Sequence, residues 1–189
     1  YMLMRKRLDF IDLFAGCGGL SLGLEQAGFT PILVNEIVPQ FSETYRRNRD
    51  LPQDAFYVGD ICQLNNEFKG HTKFDGITLV CGGPPCQGFS MANRQRIIDD
   101  PRNMLYKEYL KFLYAVRPKF FIMENVRGMQ SRWEEIEADF NSYLNSTNHE
   151  YKFTGKLLLA EDYGVPQHRE RFIVIGNRLG IDPEEIFNK

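Results

Sequence analysis

Short apolar runs alternate along the chain with stretches of helical spacing, and turn residues separate them. Residues 8–14 are an apolar run that ends in a glycine cluster. Residues 20–27 then carry apolar positions at helical spacing, closed by Gly28. Residues 31–35 predict a second strand and 40–47 a second helix; 55–58 predict a third strand, and 74–81 a fourth that ends at Gly82-Gly83-Pro84-Pro85. Residues 103–116 are again helical in spacing and Pro118 stops them. A fifth strand over 120–123, a helix over 136–144 and two more strands over 156–160 and 171–175, set as a pair, complete the pattern. Strands alternating with helices predict an α/β fold with a doubly wound, mostly parallel sheet.

Apolar residues make up 43% and charged residues 25%, an ordinary globular balance that excludes disorder of the whole chain. No run reaches the roughly 20 apolar residues of a membrane span. With 189 residues the chain fits one domain. Its net charge of −2 excludes a globally basic nucleic-acid wrapper, so any contact with DNA is local or shared with another chain. Cys17, Cys62, Cys81 and Cys86 form no CxxC pair and read as reduced thiols, and no metal site is expected. Asp182-Pro183-Glu184-Glu185 has the form of a helix start close to Lys189, which suggests a piece of something longer.

The turn Phe14-Ala15-Gly16-Cys17-Gly18-Gly19 follows the first strand and opens the first helix. Glycines there permit a tight turn and close approach of a ligand to helix-opening N–H groups. Glu36 ends the second strand, where a carboxylate can accept from ribose hydroxyls. Asp60 follows the third strand and can accept from a purine amine, with Ile61 packing on the ring. Each is also an ordinary strand-end charge when taken alone. Together they outline a nucleoside site. Ser21 stands where a strict GxGxxG would have its last glycine, which favours a mononucleoside such as S-adenosylmethionine (AdoMet) over a dinucleotide.

Pro84 and Pro85 stiffen the backbone before Cys86, and Gly88 follows closely. A thiol held at the C-terminal edge of such a sheet is a candidate nucleophile, whereas Cys62 and Cys81 read as small buried hydrophobes. Glu124 ends the fifth strand and can act as acid or hydrogen-bond donor. Arg169 and Arg171 fall on one face of an extended run, suited to an anion or a base edge; His168 points the other way and reads as plain surface.

From residue 8 to 176 these motifs resemble the DNA (cytosine-5)-methyltransferases. The resemblance rests on Asp12-Leu13-Phe14-Ala15-Gly16-Cys17-Gly18-Gly19, Glu36, Gly59-Asp60-Ile61, Pro84-Pro85-Cys86-Gln87, Glu124-Asn125-Val126 and Gln167-x-Arg169-x-Arg171, in the family's order. It implies an AdoMet-dependent, Rossmann-like sheet with an antiparallel last strand. AdoMet would be surrounded by Phe14, Gly16, Cys17, Gly19, Glu36, Ile37, Asp60 and Ile61, with Pro85 and Leu105 completing the pocket. Cys86 would add to C6 of a flipped-out cytosine, and Glu124 would contact N3 and the exocyclic amine. Arg169 would touch the base while Arg171 braces the site. Double-stranded DNA would meet Gln87, Ser90, Arg94 and Arg96, the arginines lying on a closing loop over 91–102.

Members of the family continue beyond this point with a target-recognition region and a final C-terminal motif. Residues 1–189 therefore read as a catalytic domain incomplete at its C-terminus, expected to need a second polypeptide for full activity. Methylation of transfer RNA and a scaffold without activity are the competing readings. The intact Cys86, Glu124 and Arg169 weigh against the scaffold. A cytoplasmic, nucleoid-associated location is the expectation.

Overall fold

A computed structural model describes residues 8–68, 74, 76–85, 105–146 and 151–188. Its strands are β1 (Asp9–Leu13), β2 (Thr30–Glu36), β3 (Phe56–Val58), β4 (Leu79–Gly82), β5 (Phe120–Val126), β6 (Lys152–Leu159) and β7 (Glu170–Asn177). Its α-helices are α1 (Gly19–Gln26), α2 (Pro39–Arg47), α3 (Ile61–Glu67), α4 (Leu105–Val116), α5 (Trp133–Leu144) and α6 (Pro183–Phe187). The strands form one sheet in the order β3-β2-β1-β4-β5-β7-β6. β1 to β5 run parallel, and β7 is antiparallel to both β5 and β6, as the predicted final pair requires.

The order reverses between β1 and β4. The chain winds outward from β1 through β2 to β3, then returns beside β1 and winds the other way. A crevice at such a switch point, outside the carboxyl ends of the strands, is where doubly wound sheets bind ligands. Here those ends lead into the glycine turn after β1 and the Gly82-Gly83-Pro84-Pro85 segment after β4.

Alternation along the strands assigns the two faces. Ile11, Leu13, Val80, Phe121, Met123, Phe172 and Val174 join the main core beneath α3, α4 and α5. Phe10, Leu79 and Cys81 point to the opposite face, where Leu20 and Leu24 of α1 pack on them. β5 is the clearest case, with Phe121, Met123 and Asn125 buried between half-buried neighbours. Removing seven such side chains from water at ~1.5–3 kcal/mol each makes the main core the chief stabilising layer.

Two local expectations change. The fourth strand begins at Leu79 rather than at residue 74, because Gly76 takes a left-handed φ of 71° and Ile77 N–H closes a turn on the Phe74 carbonyl. α3 has no counterpart in the predicted elements: it is seven residues long, and only Ile61 and Leu64 face the core, too few to establish a period. Among the described residues no helix is long and apolar enough to cross a membrane.

Candidate active site

The glycine turn is held from two sides. On one side Glu36, 7% exposed at the end of β2, accepts from Gly16 N–H at 2.7 Å through one oxygen and from Val38 N–H at 2.8 Å through the other. Ala15 N–H donates to the Asn35 carbonyl at 3.0 Å. The carboxylate that the sequence sets toward a ribose thus also clamps the turn, and each oxygen keeps a further lone pair. On the other side Gly18 sits beneath the Tyr45 ring and the Arg49 guanidinium. Its φ is +88°, and a methyl group on it would come within 2.6 Å of the ring. Arg49 donates to the Gly18 carbonyl at 2.9 Å and to Glu25 at 2.7 Å. Phe14 holds a φ of 56°, strained for an aromatic residue, as the chain leaves β1.

The next strand end is tied in by Asn35. Its buried amide donates to the carbonyls of Tyr57 and Gly59, fixing the chain just before Asp60. Asp60 caps α3 by accepting from Cys62 N–H at 2.8 Å. Cys62, read from the sequence as a buried hydrophobe, is exposed instead; partial desolvation, with Asp60 next, pushes its thiol up to about 11, so it stays protonated at neutral pH. Ile61 is only 3% exposed and turns into the core, leaving little surface for a ring. Ile37 is 60% exposed and has that surface. Leu105 is half-buried against the core, and Pro85 is exposed.

Beyond the switch point, β5 carries Glu124 and Asn125 to the segment after β4. A Cβ on Gly83 would stand 3.0 Å from Glu124 Oε2, so the carboxylate lies directly over that glycine. Asn125, 3% exposed, donates to the Pro84 carbonyl at 2.9 Å. Arg171 is opposite Val126 in the ladder, a diagonal neighbour of Glu124 on the same face. Its Nε stands 2.5 Å from Glu124 Oε1 as an ion pair but is not aligned as a hydrogen bond. Arg169 stands just before β7 and is exposed, its N–H donating to Glu161 at 3.3 Å and its carbonyl accepting from Ala160. His168 is exposed as well and pairs with Glu161 at 2.5 Å, which raises the imidazole above its ordinary value.

Glu36, Asp60, Glu124 and Arg171 thus stand at the ends of β2, β3, β5 and β7 along one edge of the sheet, flanking the glycine turn after β1 and the segment after β4. Cys17 and Gly19 line a cleft of about 580 Å³ shared with Leu22, Glu25 and Arg49, on the α1 side of the turn. Cys86, Gln87, Ser90, Arg94 and Arg96 lie outside the described residues. A cavity of about 640 Å³ between α3, α4 and α5 is lined by Cys62 but by none of the residues predicted for the site. Asn35, Tyr45, Arg49 and Asn125 shape the site without having been singled out. Tyr45 carried no signal, being one of two aromatic residues on a mostly polar helix, while Asn125 was visible only as part of its motif.

Comparison with known proteins agrees with this geometry. The chain is similar to Type II methyltransferase M1.HphI of Haemophilus parahaemolyticus, 39% identical over 184 residues that cover 95% of this chain and 48% of that protein. It is 38% identical to Type II methyltransferase M.AquIA of Picosynechococcus sp., covering 94% of this chain and 74% of that protein. A DNA modification methyltransferase encoded within an E. coli prophage superimposes with a TM-score of 0.69 at 33% identity, over 90% of this chain and 46% of that one. S. pombe Dnmt2 methyltransferase shares the fold, with a TM-score of 0.72 at 24% identity, over 96% of this chain and 55% of that one. The chain therefore spans about half the length of most of these proteins and three quarters of M.AquIA. With the motifs at the ends of the expected strands, and with residues 8–189 matching the family model throughout, the chain belongs to the C-5 cytosine-specific DNA methylases.

Proposed function

We propose that this chain is the catalytic portion of an enzyme that transfers a methyl group from AdoMet to C5 of cytosine in double-stranded DNA. The observation that carries the reading is Glu124 lying over Gly83, paired with Arg171, while Asn125 grips the Pro84 carbonyl. An acid and the segment that leads to Cys86 are thereby held together at the switch point.

The residues fit the cofactor. Gly16 and Glu36 form a clamped, close-approach turn, Ile37 offers an open apolar face for adenine, and Asp60 stands at the start of α3. Phe14, Cys17, Gly19, Ile61, Pro85 and Leu105 complete the proposed surround, Ile61 contributing only an edge. AdoMet, when bound, would supply an electrophilic methyl group, its sulfur keeping the electron pair of the broken sulfur–methyl bond as a neutral thioether.

A paired cytosine hides C6, so the base must leave the stack. The Cys86 thiolate then forms the S–C6 bond. The electrons of the C5–C6 double bond shift, making C5 nucleophilic and placing negative charge at N3, where Glu124 donates a proton or hydrogen bond. Arg171 keeps the Glu124 carboxyl aimed, and Arg169, exposed beside it, is set to meet the base. After C5 has gained the methyl group, its proton leaves to a base. The electrons of that C–H bond restore the double bond as sulfur departs from C6. Gln87, Ser90, Arg94 and Arg96 are proposed to contact the DNA.

The length of the relatives supports a further part of the reading: sequence recognition comes from polypeptide outside these residues, in the same protein or in a partner. The nucleoid would be the place of action. The test is transfer of labelled methyl groups to unmethylated double-stranded DNA and to transfer RNA, for the wild-type chain and Cys86→Ser. Each is assayed alone and with the C-terminal region of M1.HphI added. Transfer to DNA that Cys86→Ser abolishes is the expected result. Transfer to RNA instead, transfer that survives the substitution, or none in any arm would overturn the proposal.

A further inference from the structure

Asp12 is an acid group in the middle of the fold. It is the fourth of five residues of β1, 1% exposed, between the fully buried Ile11 and Leu13. Ser21 Oγ, in the first turn of α1, donates to its Oδ2 at 2.5 Å. Tyr45 Oη, on α2, donates to Ser21 Oγ at 2.7 Å. The Cys81 thiol of β4 also hydrogen-bonds to Asp12, which with burial raises the thiol well above its ordinary value. Arg49 closes the group, its guanidinium 4.1 Å from the centre of the Tyr45 ring and its other hydrogen bond on the Gly18 carbonyl. The ionisable groups facing Asp12 are Glu36 from β2, Cys81 from β4, Tyr109 from α4, Tyr45 from α2 and Arg49 just after α2. The methyl-transfer steps above use neither Asp12, Ser21 nor Tyr45.

We propose that Asp12, acting through Ser21 and Tyr45, is a positioning residue that holds the glycine turn in the shape that accepts AdoMet, so that cofactor affinity follows the charge on Asp12. This rests on the AdoMet reading. An ionised Asp12 only accepts, so Ser21 points its single proton at it and leaves its oxygen for Tyr45. That fixes one arrangement of the chain. A protonated Asp12 becomes a donor in a buried place. A neutral carboxyl is also a weaker acceptor than a carboxylate, so the Ser21 proton is held less firmly at Oδ2 and is free to turn, and a serine in a helix reaches the carbonyls three and four residues back. Those belong to Gly18 and Cys17, the turn itself. The Gly18 carbonyl already takes Leu22 N–H and Arg49, so the added donor competes for the contacts that shape the turn. Burial pushes Asp12 up to about 6, against the lowering effects of Ser21, Cys81 and Arg49, so the change falls in an accessible pH range.

The experiment measures AdoMet affinity by calorimetry from pH 5 to pH 8 on the full chain, for wild type, Asp12→Asn, Ser21→Ala and Tyr45→Phe. Hydrogen exchange of the amides of residues 16–19, corrected for intrinsic pH dependence, is followed in parallel without ligand. In the wild type the dissociation constant is expected to rise about ten-fold between pH 7 and pH 5, because only about one molecule in ten keeps the ionised form at the lower pH. Exchange in the turn should quicken over the same range. The three variants should lose both effects. A rise as large in the variants as in the wild type would overturn the proposal. Tyr45→Phe removes one hydroxyl and serves if Asp12→Asn does not fold. Absence of AdoMet binding by the wild type at every pH would overturn the cofactor reading instead. The exchange data would still decide on Asp12, since equal pH dependence in wild type and variants would overturn its role.

Discussion

Replacing Asp12 by Asn keeps the shape of the side chain and removes its charge. Burial, the largest influence, raises the carboxyl from 3.8 to about 6. A rise of that size corresponds to roughly 3 kcal/mol at 1.36 kcal/mol per tenfold. The folded-state value lies above the unfolded one, so folding favours the protonated form. The stabilising contribution is therefore complete below 3.8 and is lost as pH rises through about 6. Relative to Asp12→Asn, wild type should lose about 3 kcal/mol of unfolding free energy between pH 3.8 and pH 7. Urea unfolding at half-unit pH steps measures this, with Trp133 fluorescence as the probe. Trp133 is the only tryptophan and packs against Phe140, Phe153 and Phe172 in the core. A wild-type minus variant difference that stays flat over this range, or slopes the other way, would refute a buried, charge-penalised Asp12.

Three further substitutions separate shape from chemistry. Asn125→Ala strips the donor from the Pro84 carbonyl and should cost about 1–3 kcal/mol in urea unfolding. It should also lower kcat far more than AdoMet affinity, since the contact it removes is two residues from Cys86. Gly18→Ala forces a side chain into a left-handed conformation against the Tyr45 ring, a loss of roughly 2–4 kcal/mol visible as a lower Tm. Among the described residues, the methyl group of Gly83→Ala comes close to the end of the Glu124 side chain, 3.0 Å away, and reaches the Glu124 carbonyl at an ordinary 3.8 Å. Its Tm should hold within a few degrees while methyl transfer falls at least about ten-fold as the carboxylate is moved from its place.

The sheet was legible because its strands are short apolar runs that end in turn residues. Phe14-Ala15-Gly16, Glu36, Asp60, Pro84-Pro85 and Glu124 all follow or end such runs, so their place on one edge could be read before their contacts were known. Two kinds of information were hidden. Helix α3 buries only Ile61 and Leu64, so its periodicity is too thin to read, and Asp60 looked like a ligand contact before it was seen as a cap. The clamp of Glu36 on Gly16 joins residues 20 apart, and Arg49 reaches Gly18 over 31. No local pattern encodes a hydrogen bond at that separation. Asp12 did leave a trace, being a charge inside an apolar strand, but its partners Ser21 and Tyr45 sit on two different helices.

The two expectations for Asp12 run in opposite directions. As it takes up a proton the fold gains stability and the glycine turn loses the arrangement proposed to accept cofactor. A sequence shaped by stability alone would place an apolar side chain there, since β1 is otherwise fully buried at Phe10, Ile11 and Leu13. The position instead joins β1 to α1 through Ser21, to α2 through Tyr45 and to β4 through Cys81. α1 begins at the turn, α2 and the residue Arg49 just after it supply the ring and guanidinium that cover it, and β4 leads to the segment of Cys86. One buried carboxyl is thus linked, directly or through Ser21, to each element that brings the cofactor edge and the nucleophile edge together. A cost of about 3 kcal/mol is one that a site can sustain when the penalised group sets its geometry.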